Sequence, residues 1–332
     1  MQIDLQTVAL KPLRNTFKHI EKRFGDKVAT RYQEATYDLQ PTHNFHYKPT
    51  WDPSREVHDA KRTKIVLKDW YVLKDPRQFY YGTYTQARAR QQDAIEKSFD
   101  FIEERGLEHA LSPEIKEVAL KTLMPLRHVA WGANMNNTCM AAYAYGTALN
   151  QACTFASFDH LGIAQYLTRV GLALGDVEDL KAGKVAWEKD ANWQPLRQYV
   201  EKMLVTRDVM ELFVAQNFVL DGLLYPLIYK EAVDGVWAAK SGPTIGMMTV
   251  FMADWQAETA KWVDAVLKPA AAESAENKAL LSQWASDWAK QAIAALKPVA
   301  AIALGVEADA AMADVILNLQ ERAKKSGLEL SL

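Results

Sequence analysis

Asp75-Pro76-Arg77-Gln78-Phe79-Tyr80-Tyr81-Gly82-Thr83-Tyr84-Thr85-Gln86-Ala87-Arg88 opens the part of the chain that decides the fold. Asp75 followed by Pro76 reads as an N-cap with proline at the first helical position, where the missing amide proton costs nothing. The run predicts a helix to about Arg105, with Phe79, Thr83, Ala87 and Ala94 on related faces. Ser112-Pro113-Glu114 repeats the start signal, and the helix it opens continues past Pro125 with a kink. Further helices are predicted over 147–170, 180–188, 193–204, 206–229, 244–267, 273–296 and 308–325. Strand signals are nearly absent beyond Lys64 to Leu67. Long helices with short connections predict an antiparallel bundle, so the fold class is all-α.

Upstream of Asp75 the pattern changes. Segments such as Gln40-Pro41-Thr42-His43-Asn44 and Lys48-Pro49-Thr50-Trp51-Asp52-Pro53 are punctuated by proline and lack sustained periodicity. They are too aromatic to read as disordered. Residues 1–75 are therefore expected to form an extended N-terminal arm for inter-subunit contacts, with Tyr32, Tyr37, Phe45 and Trp51 in the interface, joined by Phe79, Tyr80 and Tyr81. A loop-rich cap on the chain's own core is the alternative. Residues 76–332 are expected to form the helical domain.

Composition narrows the function. The chain has 332 residues, 49% of them hydrophobic, and 39 Lys+Arg nearly cancel 41 Asp+Glu. That balance lacks the basic excess of a nucleic-acid binder. No basic start leads into an apolar run, and no uninterrupted apolar stretch is long enough to span a membrane, so a cytoplasmic location without membrane contact is expected. The two cysteines, Cys139 and Cys153, read as reduced core residues. No Gly-rich phosphate loop, nucleophile elbow or Cys-x-x-Cys pair occurs.

A metal site inside the bundle can be tested by counting. Such sites take a lone Glu from each of two helices and a Glu-x-x-His pair from each of two others. The seven histidines are His19, His43, His46, His58, His109, His128 and His160, and none has a carboxylate three positions earlier. His43 and His46, with Asp38 or His58, leave a residual surface candidate, outweighed by a docking role. His128 and His160 read as hydrogen-bonded core residues. Asp159, Asp221 and Asp254, with Arg127, Arg169 and Arg207, are expected to form internal ion pairs.

Four segments carry a family resemblance: Arg31-Tyr32-Gln33-Glu34-Ala35-Thr36-Tyr37-Asp38, the Asp75–Tyr84 run, Pro125-Leu126-Arg127-His128 with Gly132-Ala133-Asn134-Met135-Asn136-Asn137, and Ala215-Gln216-Asn217 with Val219-Leu220-Asp221-Gly222-Leu223. They resemble the β subunits of bacterial multicomponent monooxygenases, in the phenol and toluene hydroxylase branch. The resemblance implies a ferritin-like bundle and no cofactor on this chain, the di-iron centre belonging to a partner α subunit. It also implies an (αβγ)2 assembly with α, γ and a second copy of this chain, served by a regulatory protein and a reductase, the whole system oxidising phenol or related aromatics with O2 and NADH. Laid on the family's ligand motifs, His160 stands where a Glu would be and Ile163 where a His would be; Trp255 and Glu258 replace the second such pair, and Asp221 replaces a lone Glu. The implied function is a non-catalytic structural subunit. Two other readings stay open: an enzyme with an unconventional site of Asp221, Glu258 and His128, and a helical adaptor outside oxidative metabolism.

Overall fold

A computed structural model describes residues 13–39 and 48–332. Phe45 of the expected interface, and His43 and His46, lie outside them. The described residues contain no strand, and the long helices build one bundle. Two short helices, α1 (Lys18–Phe24) and α2 (Arg31–Thr36), precede α3 (Tyr81–Arg105), α4 (Pro113–Tyr143), α5 (Thr147–Leu174), α6 (Val177–Lys189) and α7 (Gln194–Leu204). The central rod, α8 (Val209–Ser241), follows. Then come α9 (Thr244–Ala272), α10 (Ala275–Leu304) and α11 (Ala308–Lys325).

The starts are fixed by side chains that accept the free amides of a first turn. Ser112 accepts from Ile115, Asp208 from Met210 and Glu211, and Ser274 from Asn277. Asp75 is different. Its carboxylate is taken up by Arg77, which donates from its backbone amide, Nε and Nη2 at 2.9–3.0 Å. Gln78 then adopts φ 53°, which no helix continues through. The start expected at Pro76 is thus a turn built on the buried Asp75, and α3 begins at Tyr81.

Up to Tyr229 helix α8 is predominantly apolar and nearly all buried, while its last third carries charge and reaches the surface. It is long and apolar enough to cross a membrane by composition, but here it is the rod against which α4, α9, α10 and α11 pack, with α5 reaching it through His160. Its middle is wound with π-helical turns over Val214–Leu220 and Pro226–Trp237, either side of Asp221. Pro226 has no amide proton to give the preceding turn, and the wider winding accommodates that gap.

The described part of the N-terminal segment lies on its own bundle. Tyr32 and Tyr37 are buried with Ile20, Tyr71 and Ala148. The Tyr32 hydroxyl accepts from the Asp75 amide, and burial pushes its pKa up to about 12. Phe79 packs with Tyr84 and Phe155. These three rings are therefore spent inside the chain. Tyr80 is half-buried, while Trp51 and Tyr81 are exposed, at 48% and 78%.

Candidate functional site

The centre of the bundle is a polar seam enclosed by aromatic rings, and it begins with Asp159 on α5. Asp159 is buried and accepts four hydrogen bonds. Arg88 of α3 donates from Nε and Nη2, both at 2.7 Å, while the Tyr84 hydroxyl and the Trp255 indole N–H each donate at 2.9 Å. Arg88 also reaches Glu258 on α9 at 3.0 Å, and Arg77 stands 3.5 Å from the same carboxylate. Burial and the Asp159 charge hold the Tyr84 phenol far above its ordinary range, so it stays a donor. Every charge here has a partner, as low-dielectric burial demands.

The next residue of α5, His160, is fully buried. Its Nε2 lies 3.3 Å from Asp221 Oδ2 of α8, without the alignment of a hydrogen bond, and its Nδ1 lies 3.4 Å from the Tyr225 hydroxyl. The Trp255 ring meets the His160 ring edge-on at 4.7 Å, and Tyr225 packs on Trp255 at 4.9 Å. Burial, with the Asp221 charge behind it, raises the Tyr225 phenol well above its usual value. Amides complete the seam. Gln216 donates to Asp221 Oδ1 at 2.9 Å and accepts from Asn136 at 2.9 Å, while Asn137 and Asn217 exchange two bonds at 3.1 Å. These bonds tie α4 to α8 through their buried faces.

The structure therefore brings together four of the five positions marked from sequence, His160, Ile163, Asp221 and Trp255, with Glu258 one layer away on the Arg88 side. His128 is elsewhere, half-buried and stacked on Trp187. The unconventional carboxylate site would need Asp221, Glu258 and His128 to converge, and each has its own separate partners. Of the expected internal ion pairs, Asp159 with Arg88 is buried, whereas Arg169 pairs with Glu96 at the surface, at 2.5 Å. Asp254 and Arg207 are exposed, and Arg127 donates instead to the carbonyls of Met124 and Leu180. Apolar sequence neighbours had suggested burial, but Asp254 faces out from α9 and Arg207 lies in the connection before α8. Arg88 and Tyr225 went unmarked, although Tyr84 and Arg88, four apart on one helix, share a face.

An iron pair would need carboxylates and imidazoles from four helices. Among the described residues no three His, Cys, Asp or Glu side chains converge as metal ligands. His160 and Asp221 leave beside them a cavity of about 10 Å³, roughly one water's worth. Trp255 of α9 is buried against His160 and donates to Asp159. This donor set does not fit an iron pair.

Fold and site together define a class: a long-helix bundle whose centre is a polar seam of ion pairs and amides enclosed by aromatic rings. Residues 51–274 match the model of the methane/phenol/alkene hydroxylase family. The chain is 45% identical to the phenol 2-monooxygenase oxygenase component MhpL of Acinetobacter pittii, over 99% of this chain and 98% of that one. It is 24% identical to the beta subunit of the toluene-4-monooxygenase hydroxylase of Ectopseudomonas mendocina, over 76% of each. A crystal structure of xenon-pressurized phenol hydroxylase from Pseudomonas sp. OX1 superposes with a TM-score of 0.92 at 41% identity, covering 98% of this chain and 99% of that one. Toluene 4-monooxygenase shares the fold, with a TM-score of 0.76 at 19% identity over 89% and 99% of the two chains. The chain belongs to the methane/phenol/alkene hydroxylase family, as a β-type subunit of its phenol and toluene hydroxylase branch.

Proposed function

We propose that this chain is the non-catalytic, structural β subunit of the hydroxylase component of a phenol (aromatic) monooxygenase, a ferritin-like bundle that holds iron-bearing α subunits in place. The observation that supports it is the closed seam: Trp255, Ile163 and the Arg88–Asp159 pair occupy the region where two Glu-x-x-His pairs would meet. Replacing ligands by rings and paired charges removes the cost of crowded carboxylates and gives a rigid core. In this reading the di-iron cofactor sits in α, and the assembly is (αβγ)2 in the cytoplasm, with a regulatory protein and an NADH-dependent reductase acting on it. Residues 1–75 would serve that assembly through what they leave exposed, Trp51 first.

The test is expression of the chain alone and together with its hydroxylase partners, followed by iron analysis and turnover of phenol. The chain alone should hold no stoichiometric iron. In the assembled enzyme, Asp221→Asn should leave turnover per iron unchanged. About two irons per isolated chain, or loss of turnover in an intact, fully loaded Asp221→Asn complex, would refute the proposal.

A further inference from the structure

The seam places a phenol, an imidazole and a carboxylate in sequence, all three buried. The Tyr225 hydroxyl of α8 lies 3.4 Å from His160 Nδ1. On the far side of the ring, Nε2 lies 3.3 Å from Asp221 Oδ2. Burial, reinforced by the Asp221 charge, keeps the phenol protonated, so its hydroxyl donates and Nδ1 is the accepting lone pair. The ring's own proton then sits on Nε2, toward the carboxylate. Nε2 and Oδ2 are nonetheless buried without an aligned hydrogen bond. Two such atoms side by side in a dry core call for a cause, and a redox role is among the causes known for them.

The charges point the same way. Asp159 is matched by Arg88, whereas Asp221 is held at Oδ1 by the neutral amide of Gln216. A counter-charge for Asp221 is within reach of His160, and the ring acquires one when it takes the proton of Tyr225. A phenol that loses an electron becomes a strong acid, and a cation radical buried beside no base would be costly. Here the proton has a base to go to, and the imidazolium it forms faces Asp221. The group passes from one net negative charge to none, so oxidation relieves a buried charge and creates no new one. Other buried phenols lack this arrangement. Tyr84 donates to Asp159, whose oxygens are already engaged by Arg88 and Trp255, and Tyr199 donates to the Ala215 carbonyl, which is no base.

The electron also has a way out. The Trp255 ring lies 4.9 Å from the Tyr225 ring and 4.7 Å from His160, and the Tyr229 ring lies 5.5 Å from Tyr225. Tyr225 and Tyr229 both line an open cavity of about 420 Å³ between α8, α9 and α11. A soluble oxidant or reductant seated there meets the reacting ring or its stacked neighbour, so no long-range transfer is needed.

We propose that Tyr225 is a redox-active tyrosine with His160 as its proton acceptor and Asp221 as the counter-charge. A one-electron oxidant of high potential, of the class of a photogenerated ruthenium(III) polypyridyl complex, takes one electron from the ring. The phenol O–H bond breaks, its proton forms the Nδ1–H bond of His160, and a neutral tyrosyl radical remains while the ruthenium is reduced. One electron from a reductant and the returning proton restore the phenol. The relay lies wholly within this chain and does not rest on the function proposed above.

In the experiment the full chain is illuminated with tris(bipyridine)ruthenium(II) and persulfate, frozen, and read by electron paramagnetic resonance. A neutral tyrosyl radical should persist after the radicals of surface tyrosines have decayed, and Tyr81→Phe, at an exposed ring, should leave it unchanged. In a wild-type chain carrying isotope-labelled histidine, the radical should couple to an imidazole nitrogen. Tyr225→Phe should abolish the persistent signal, and His160→Gln should slow its formation by about a hundredfold, as for loss of a positioned base. Circular dichroism checks that both variants are folded. A wild-type chain that gives no persistent radical overturns the proposal. So does a radical without imidazole coupling, or one that survives in folded Tyr225→Phe. Where a variant does not fold, the labelled wild-type chain decides alone.

Discussion

Asp159→Ala tests whether the buried seam holds the bundle together. The carboxylate is almost fully enclosed and accepts from Arg88 twice, from Tyr84 and from Trp255, all within 2.9 Å. Its removal leaves the Trp255 indole N–H without an acceptor in a dry core, worth about 1–3 kcal/mol. It also leaves Arg88 with a single carboxylate, Glu258 at 3.0 Å, whose side chain is 30% exposed. Breaking a buried pair outright costs about 3–5 kcal/mol, and retention of Glu258 moderates that figure. The combined loss is about 4 kcal/mol, read as a fall in the urea midpoint by tryptophan fluorescence and circular dichroism. Adding Arg88→Met to Asp159→Leu removes the uncompensated cation and should recover about half of the loss. The two changes should thus couple by more than about 1.5 kcal/mol. A single-variant loss below about 1 kcal/mol, or strict additivity, would mean that water reaches the pair and that the seam is not the structural element argued here.

Three further outcomes are expected. Gly183→Ala places a Cβ 2.4 Å from Met124 Cβ and 3.0 Å from the Met124 backbone, so α6 must lift from α4 at a cost of about 1–3 kcal/mol, whereas Gly162→Ala in the isolated chain should stabilise by about 0.5–1 kcal/mol; paired urea titrations check both. Burial raises the pKa of both thiols, Cys153 most, so a thiol reagent should leave native Cys153 unmodified and label Cys139 slowly, and mass spectrometry should find both labelled in denaturant. Burial, and secondarily Arg127, lowers the folded-state pKa of His128, so the unfolded chain binds the proton more readily; its contribution to stability is present above about pH 6.5 and lost as the pH falls, and His128→Phe should flatten that part of the acid limb in urea midpoints measured from pH 8 to pH 5.

The long helices were legible because two signals agree: apolar spacing marks their faces, and Ser112, Asp208 and Ser274 mark their starts. Asp75-Pro76 carries the same local signal and fails. A carboxylate can cap a helix or bind a guanidinium, and the presence of Arg77 two residues on decided for the second. The aromatic arm misled in a related way. Aromatic content measures how much apolar surface a segment must cover, not whose surface covers it, so Tyr32, Tyr37 and Phe79 could equally have faced a partner or the chain's own α5.

At the site, the missing Glu-x-x-His pairs could be read from spacing alone because i and i+3 share one helical face. What replaced them could not. Asp159, His160, Asp221 and Trp255 lie on three helices, and their partners Arg88 and Tyr225 come from a fourth helix and from α8 one turn beyond Asp221. Across such sequence distances only packing decides which buried charge meets which. The neutral run from Val129 to Phe158 is the reverse case. Its lack of charge is visible in the sequence, yet which of its residues face outward is not: Trp131, Met135 and Phe158 are exposed while Ala133, Asn136 and Met140 beside them are buried, a division set by the packing of α4 on α5 and α8.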